Sequence, residues 1–242
     1  MTLPKRNGVV TYVLNLLVGT LGWFFFWVLN RTTVIGVNNI NPNCIYLFVS
    51  NHRSLIDSFL ETIAFCFPRI LFHPSIAPYH TPDAQNYLKA KIFAGRSKFL
   101  AKLLTPLTTF LFIHLKCLPV SNGRKDLHAL NMVKSILSRS SVHVFPEGTR
   151  SITGELGKPR DGIGKVIYDV QPEILPVFVD GIDRVLPRGA KFPRLGKRIT
   201  VVFGEPFNCQ EFKSQPDTRE TWQVIAQHIM GKIAQLAPKT QT

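Results

Sequence analysis

His52 and Asp57 stand five positions apart in the stretch VSNHRSLIDSF, residues 49–59. An imidazole beside a carboxylate is a pairing that moves protons. A neutral imidazole bonded to a hydroxyl can take its proton and make the oxygen a nucleophile, while a carboxylate on the other ring nitrogen fixes the tautomer and steadies the imidazolium. Spacing decides whether the two can meet. Successive residues of a helix turn by about 100°, so on one regular helix these side chains point roughly 140° apart. Residues 44–50, CIYLFVS, read instead as a buried strand, Asn51, His52, Arg53 and Ser54 as a polar turn, and Leu55, Phe59, Ile63 and Phe67 recur at helical spacing. Strand, turn and helix place His52 in the turn and Asp57 in the first helical turn, where the chain can fold one onto the other. A plainer reading stays open: Ser54 and Asp57 fit a capping box, Ser-x-x-acid, that ties off helix N–H groups.

A second polar turn follows the short apolar run VHVF. Its residues are PEGTRS, 146–151. Pro146 cannot donate to a sheet and closes the strand, and Gly148 removes a side chain where backbone must turn or approach a ligand. Glu147, Thr149 and Arg150 supply an acceptor, a hydroxyl and a guanidinium within one turn. That set suits a phosphorylated polyol, with Arg150 forked onto phosphate oxygens and Glu147 accepting from a glycerol hydroxyl. An ordinary surface turn with a salt-linked Glu and Arg is the alternative.

The elements that must hold these turns alternate along the chain. Leu127, Leu130, Val133 and Ile136 or Leu137 share a helical face ahead of VHVF; a short helix near residues 164–170 precedes the strands ILPVFV and ITVVFG. A last helix begins around Asp217, boxed with Glu220, and runs Trp222, Ile225, Ile229, Ile233 and Leu236 down one side. This alternation predicts an α/β fold: one domain with a mixed sheet flanked by helices, preceded by an apolar helix or helix pair. The expected division is 1–33 as a membrane-anchoring segment and 34–242 as the domain.

The anchor is read from residues 8–30, which carry no charge and are flanked by Lys5, Arg6 and Arg31. As one helix they reach about 34 Å, against about 30 Å of hydrocarbon core. A signal peptide is the competing reading, but the stretch is too long and no small-x-small site follows it. Trp23 and Trp27 stand one turn apart near its end, as interfacial aromatics do. Asn15, Gly19, Thr20 and Gly22 interrupt it, so a span and a bent pair lying in one leaflet both remain open. Residues 99–120 form a second apolar region, expected as a core helix broken at Pro106 and followed by a strand, or as an interfacial element.

At 242 residues the chain fits one domain, and 29 Lys+Arg against 15 Asp+Glu give +14, so its surface seeks anions: nucleic acid, anionic headgroups or an acidic carrier. No nucleic-acid motif appears, and aromatic and basic residues do not interleave as a stacking platform requires, so nucleic acid is not the expected partner. A basic, membrane-tethered binding module for anionic lipid or nucleic acid is the rival to an enzyme. Cys44, Cys66, Cys117 and Cys209 show no ligand spacing for zinc and are expected as buried free thiols in a reducing compartment, with disulfides the lesser alternative.

Together the two turns resemble the signature motifs of the glycerolipid acyltransferases, whose best known members are the lysophosphatidic acid acyltransferases. Asn51, His52 and Asp57 match an NHxxxxD motif, and FPEGTRS, residues 145–151, matches the second without a gap. CLPV (117–120), GIGK (162–165), ILPV (174–177) and FPRLGKRITVVFGEPF (192–207) lean toward the tafazzin branch, the phospholipid-lysophospholipid transacylases. Ser58, where tafazzins carry a second acid, and Thr149-Arg150-Ser151, where they have a shorter FPEGK form, favour the general bacterial type. The resemblance spans roughly residues 34–207.

The resemblance implies direct transfer of an acyl chain to a lysophospholipid hydroxyl of the 1-acylglycerol-3-phosphate type. Acyl-CoA or acyl carrier protein would be the donor, with no cofactor and no metal. It makes His52 and Asp57 catalytic and Glu147, Gly148, Thr149 and Arg150 acceptor-binding. It also adds Arg124, displaced by a residue or two from the family's arginine. No GxSxG elbow is present, in line with transfer without an acyl-enzyme. The site is expected at the membrane surface, monotopic or single-span, on the reducing, cytoplasmic side, among phospholipids. Exchange of chains between phospholipids, as in tafazzin, is the alternative within enzymes.

Overall fold

The computed structural model describes residues 8–71, 76–81, 98–117, 127–151 and 153–238. Helix α1 (Gly8–Trp23) passes directly into a π-helical turn (Phe24–Leu29), and strand β1 (Arg31–Ile35) follows. Then come β2 (Tyr46–Ser50), α2 (Asp57–Cys66), β3 (Tyr79–His80), α3 (Lys98–His114), α4 (Leu127–Leu137), β4 (Val142–Val144), α5 (Asp161–Val170), β5 (Glu173–Asp180), α6 (Ile182–Val185), β6 (Arg198–Phe203) and α7 (Arg219–Gln235). The six strands form one mixed sheet in the order β1-β6-β5-β2-β4-β3, parallel throughout except between β5 and β6.

Both faces of this sheet are covered, which is why its central strands are apolar runs rather than alternating ones. Leu47, Val49, Ile174 and Phe178 face a core built with α4, α5 and α7; Tyr46, Phe48, Leu175, Val177 and Val179 face one built with α2, Phe26 and Ile182. Gly164 lets α5 and α7 touch, because a Cβ there would lie 1.9 Å from the Trp222 carbonyl oxygen.

Residues 8–29 make one continuous helix, not a bent pair. Its polar residues are satisfied along its own axis and by α3: Asn15 Nδ2 donates to Thr11 O at 2.7 Å and to His114 O at 3.2 Å, and Thr20 Oγ1 to Leu16 O at 2.8 Å. By length and mean hydropathy, 1.8, it could cross a membrane, and its exposed Val9, Leu17, Leu21 and Val28 leave an apolar face uncovered. The opposite face packs on α2. Gly22 is buried there, and a Cβ would come within 2.2 Å of Ile63 Cδ1 and 2.6 Å of Phe59 Cζ. Gly22→Leu is therefore expected to destabilise the chain by about 1–3 kcal/mol through overpacking. Thermal unfolding in detergent checks this, with Gly8→Ala, which meets nothing within 4 Å, as the silent comparison.

Several local expectations are corrected. Pro106 lies inside α3 without ending it; loss of one N–H is tolerated while the helix is held against α1 by Thr11 Oγ1 and His114 Nδ1, 2.8 Å apart. It is not a core helix either, since Leu107 and Phe110 are about half exposed. Of the strand expected after it, Cys117 makes a single bridge to His80, and residues 118–120 lie outside the described residues. Helix α2 starts at Asp57, so Leu55 and Phe67 fall outside it. Helix α5 starts three residues earlier than expected, at Asp161. Thr218, not Asp217, caps α7, because the Asp217 carboxylate is taken by Lys165 Nζ at 2.8 Å and Trp222 Nε1 at 2.7 Å. Cys44 is exposed and Cys117 half-buried; only Cys66 and Cys209 are buried, and burial pushes both thiols up to about 12.

Candidate active site

Strands β2 and β4 are parallel neighbours, so the two polar turns leave the sheet at the same carboxyl edge, where ligands of such sheets bind. The first turn is fixed before it reaches His52. Asn51 Nδ2 donates to Val179 O and Val179 N donates to Asn51 Oδ1, both at 2.8 Å, so a buried side-chain amide continues the β2–β5 ladder for one more step. Beyond it, His52 Nδ1 lies 2.8 Å from Asp57 Oδ2. The same oxygen accepts from Arg53 N and Ser54 N, each at 2.7 Å. Asp57 is fully buried while the His52 side chain is 19% exposed.

Asp57 thus performs both roles open in the sequence. It gathers the backbone N–H groups of Arg53 and Ser54 in the turn ahead of α2, and it holds the imidazole. The capping box itself does not close, because Ser54 Oγ donates away, to Leu186 O at 3.0 Å. With Nδ1–H donated to the carboxylate, the tautomer leaves Nε2 as the acceptor, and Nε2 has no hydrogen-bond partner among the described residues. Phe145 stacks on the ring, centroids 3.8 Å apart and planes 11° from parallel.

The second turn is zipped onto the first. Ser151 N donates to His52 O at 2.8 Å, and His52 N donates to Glu147 Oε1 at 3.1 Å. Glu147 Oε2 takes Gly157 N at 2.9 Å. Burial raises the Glu147 carboxyl above its ordinary pKa while these two donors pull it down. Gly148 adopts φ +65°, a left-handed conformation costly for a side chain, and a Cβ there would strike Arg160. Glu147, Thr149, Arg150, Ser151 and Lys158 line an open depression of about 260 Å³. Arg150 forms no ion pair among the described residues. Arg124 lies outside the described residues.

A family model for acyltransferases matches residues 85–180, a span that takes in the second turn and leaves the first outside it. Tafazzin of Drosophila melanogaster is 32% identical over 112 residues, 44% of this chain and 29% of that protein. A probable 1-acyl-sn-glycerol-3-phosphate acyltransferase of Mycoplasma pneumoniae is 24% identical over 207 residues, 81% of this chain and 70% of that one. The crystal structure of the 1-acyl-sn-glycerophosphate acyltransferase of Thermotoga maritima superposes with a TM-score of 0.64 at 18% identity, over 98% of this chain and 86% of that chain. The chain is thus similar to acyltransferases in sequence and shares the fold of the Thermotoga structure. The match to the Drosophila protein spans less than a third of that relative's length.

Behind its His-Asp pair the chain carries a buried polar cluster that neither motif signals. Ser50 Oγ lies 3.0 Å from Glu61 Oε1 and 2.8 Å from His143 Nε2, which is 2.8 Å from Glu61 Oε2. Burial is the first cause of both shifts: it raises Glu61 well above its usual range and lowers His143 to about 3, so it opposes charge on both side chains. Two opposite pH slopes follow. For Glu61 the folded pKa is raised, so stability falls as pH rises from 4.5; for His143 it is depressed, so stability falls as pH drops from 6.5 toward about 3. Glu61→Gln is expected to gain stability relative to the parent with rising pH above 4.5, and His143→Gln to flatten the acid limb. Denaturant melts across pH check both.

On another face of α2 the chain has an apolar cavity of about 250 Å³ between α1, α2 and α3, lined among others by Val18, Gly19, Phe59, Ile63, Phe112 and Leu115. Sequence reasoning did not find it, because its walls come from three elements far apart in the chain.

Proposed function

We propose that this protein is an acyltransferase, which moves a fatty acyl chain from a thioester, acyl-CoA or acyl carrier protein, to the free hydroxyl of a lysophospholipid of the 1-acylglycerol-3-phosphate type. The observation that carries the reading is the 2.8 Å contact of His52 Nδ1 with a fully buried carboxylate, which leaves Nε2 unpartnered at the sheet's carboxyl edge. His52 Nε2 takes the hydroxyl proton as that oxygen bonds to the thioester carbonyl carbon; the carbon–sulfur bond then breaks, and the thiolate leaves with the proton held by His52. Asp57 stabilises the imidazolium that forms between these steps. Phe145 limits rotation of the ring.

Arg150 and Thr149, with the backbone at Gly148, seat the acceptor's phosphate in the depression beside them. Glu147 acts as much by holding the two turns together as by touching glycerol, since both of its oxygens already accept from backbone. The apolar cavity on α2 suits the hydrocarbon part of an acyl chain. Residues 1–33 serve as the anchor and 34–242 carry the chemistry, with the site at the membrane surface on the cytoplasmic side.

The 32% identity with a tafazzin segment supports a second reading, exchange of chains between phospholipids without a thioester. One tube with lysophosphatidate and acyl thioester, another with phospholipid and lysophospholipid alone, both read by lipid mass spectrometry, separate the two. Turnover in the first tube is expected; turnover confined to the second reverses the assignment, and none in either removes both.

A further inference from the structure

We propose that the loop from Pro187 to Lys197 is a second membrane contact, specific for anionic headgroups, that clamps the catalytic domain onto the bilayer beside α1. Residues 184–198, RVLPRGAKFPRLGKR, hold six cations and no acid. Arg184 is paired with Asp180 at 3.1 Å. Arg188, Lys191, Arg194, Lys197 and Arg198 have no ion-pair partner among the described residues. Between them Phe192 is 72% exposed and Leu195 55%. Cations around two bare apolar side chains match a lipid interface, where ammonium and guanidinium groups meet headgroup phosphates and the apolar groups enter the acyl boundary.

The loop is also held in place against the apolar helix. Gly196 N donates to Leu29 O at 2.9 Å, Arg31 N to Lys197 O at 2.8 Å and Lys197 N to Asn30 Oδ1 at 3.0 Å. Leu195 therefore sits next to the end of the π-helical turn, where Val28 and Leu29 are exposed, and the apolar surface continues from helix to loop. That continuity favours a lipid surface over an acidic carrier protein, which has no use for the helix end. At its other end the segment reaches the catalytic turn, through Ser54 Oγ donating to Leu186 O at 3.0 Å. Docking of the loop would hold the mouth of the site at headgroup level.

The inference rests on the membrane-anchor reading and not on catalysis, so its test uses no activity. The full chain carrying Cys44→Ser, Cys117→Ser and Phe192→Cys is labelled with an environment-sensitive fluorophore and reconstituted into vesicles of phosphatidylcholine with or without 30% phosphatidylglycerol. A label at Val28→Cys in the same background reports the anchor alone. With phosphatidylglycerol the label at position 192 is expected to shift to the blue and to be quenched by headgroup nitroxide lipid, and 0.5 M salt to reverse this. Removing three charges as Arg188→Gln, Lys191→Gln and Arg194→Gln should weaken docking by roughly 100-fold. A label at position 192 that stays water-like in both vesicles while that at position 28 is in lipid overturns the inference and spares the anchor. Shielding seen only on adding acyl carrier protein also overturns it and assigns the loop to a protein partner.

Discussion

His52→Ala is expected to fold and to transfer acyl chains more slowly by on the order of 10²–10⁴-fold, with little change in the KM for the acceptor. Folding survives because the ring is peripheral to what fixes the turn: Asn51 remains clamped to Val179, and Asp57 Oδ2 keeps Arg53 N and Ser54 N. The backbone bonds of His52 to Glu147 and Ser151 do not involve the side chain. Rate falls because a lipid hydroxyl then has no base to receive its proton. KM is expected to hold because the proposed seat for the acceptor's charge, Arg150, is untouched. Parallel assays of parent and variant in matched vesicles, with circular dichroism as the control for folding, check this; an H52A chain that works at the parental rate ends the base mechanism.

The dyad was visible in the sequence because a strand-turn-helix pattern is a local signal. Five positions cannot meet on one helix, and the polar interruption after CIYLFVS shows where the chain must bend. The mixed sheet was legible from alternation, but its order was not: nothing in VHVF says that it lies beside YLFVS, and that adjacency is what brings FPEGTRS to His52. Phe145 looks like the end of a strand until the second turn is folded over the ring. Glu61 and His143 gave no signal either, since a buried acid and base are indistinguishable by type from surface ones. Pro106 and Asp217 misled for a shared reason. Each has a strong local preference, and tertiary partners, α1 for one and Lys165 with Trp222 for the other, outweigh it.

Asp57 should be the most damaging single loss, because one oxygen serves both stability and rate. Asp57→Ala strands three donors around a fully buried site and removes the charge they face, at an expected cost of about 3–5 kcal/mol. That variant is expected to express poorly and cannot isolate the chemistry. Asp57→Asn can: its amide oxygen still accepts from the turn, while its NH2 occupies the place of Oδ1, which has no partner now. The chain should fold, yet the imidazolium formed in transfer loses its counter-charge, and the rate should fall on the order of 10²–10³-fold. If the two residues work as one device, adding Asp57→Asn to His52→Ala slows the chain no further than His52→Ala alone. Multiplying losses in the double variant would mean that Asp57 helps catalysis by a route that does not pass through the ring, and the 2.8 Å contact would then be architecture alone.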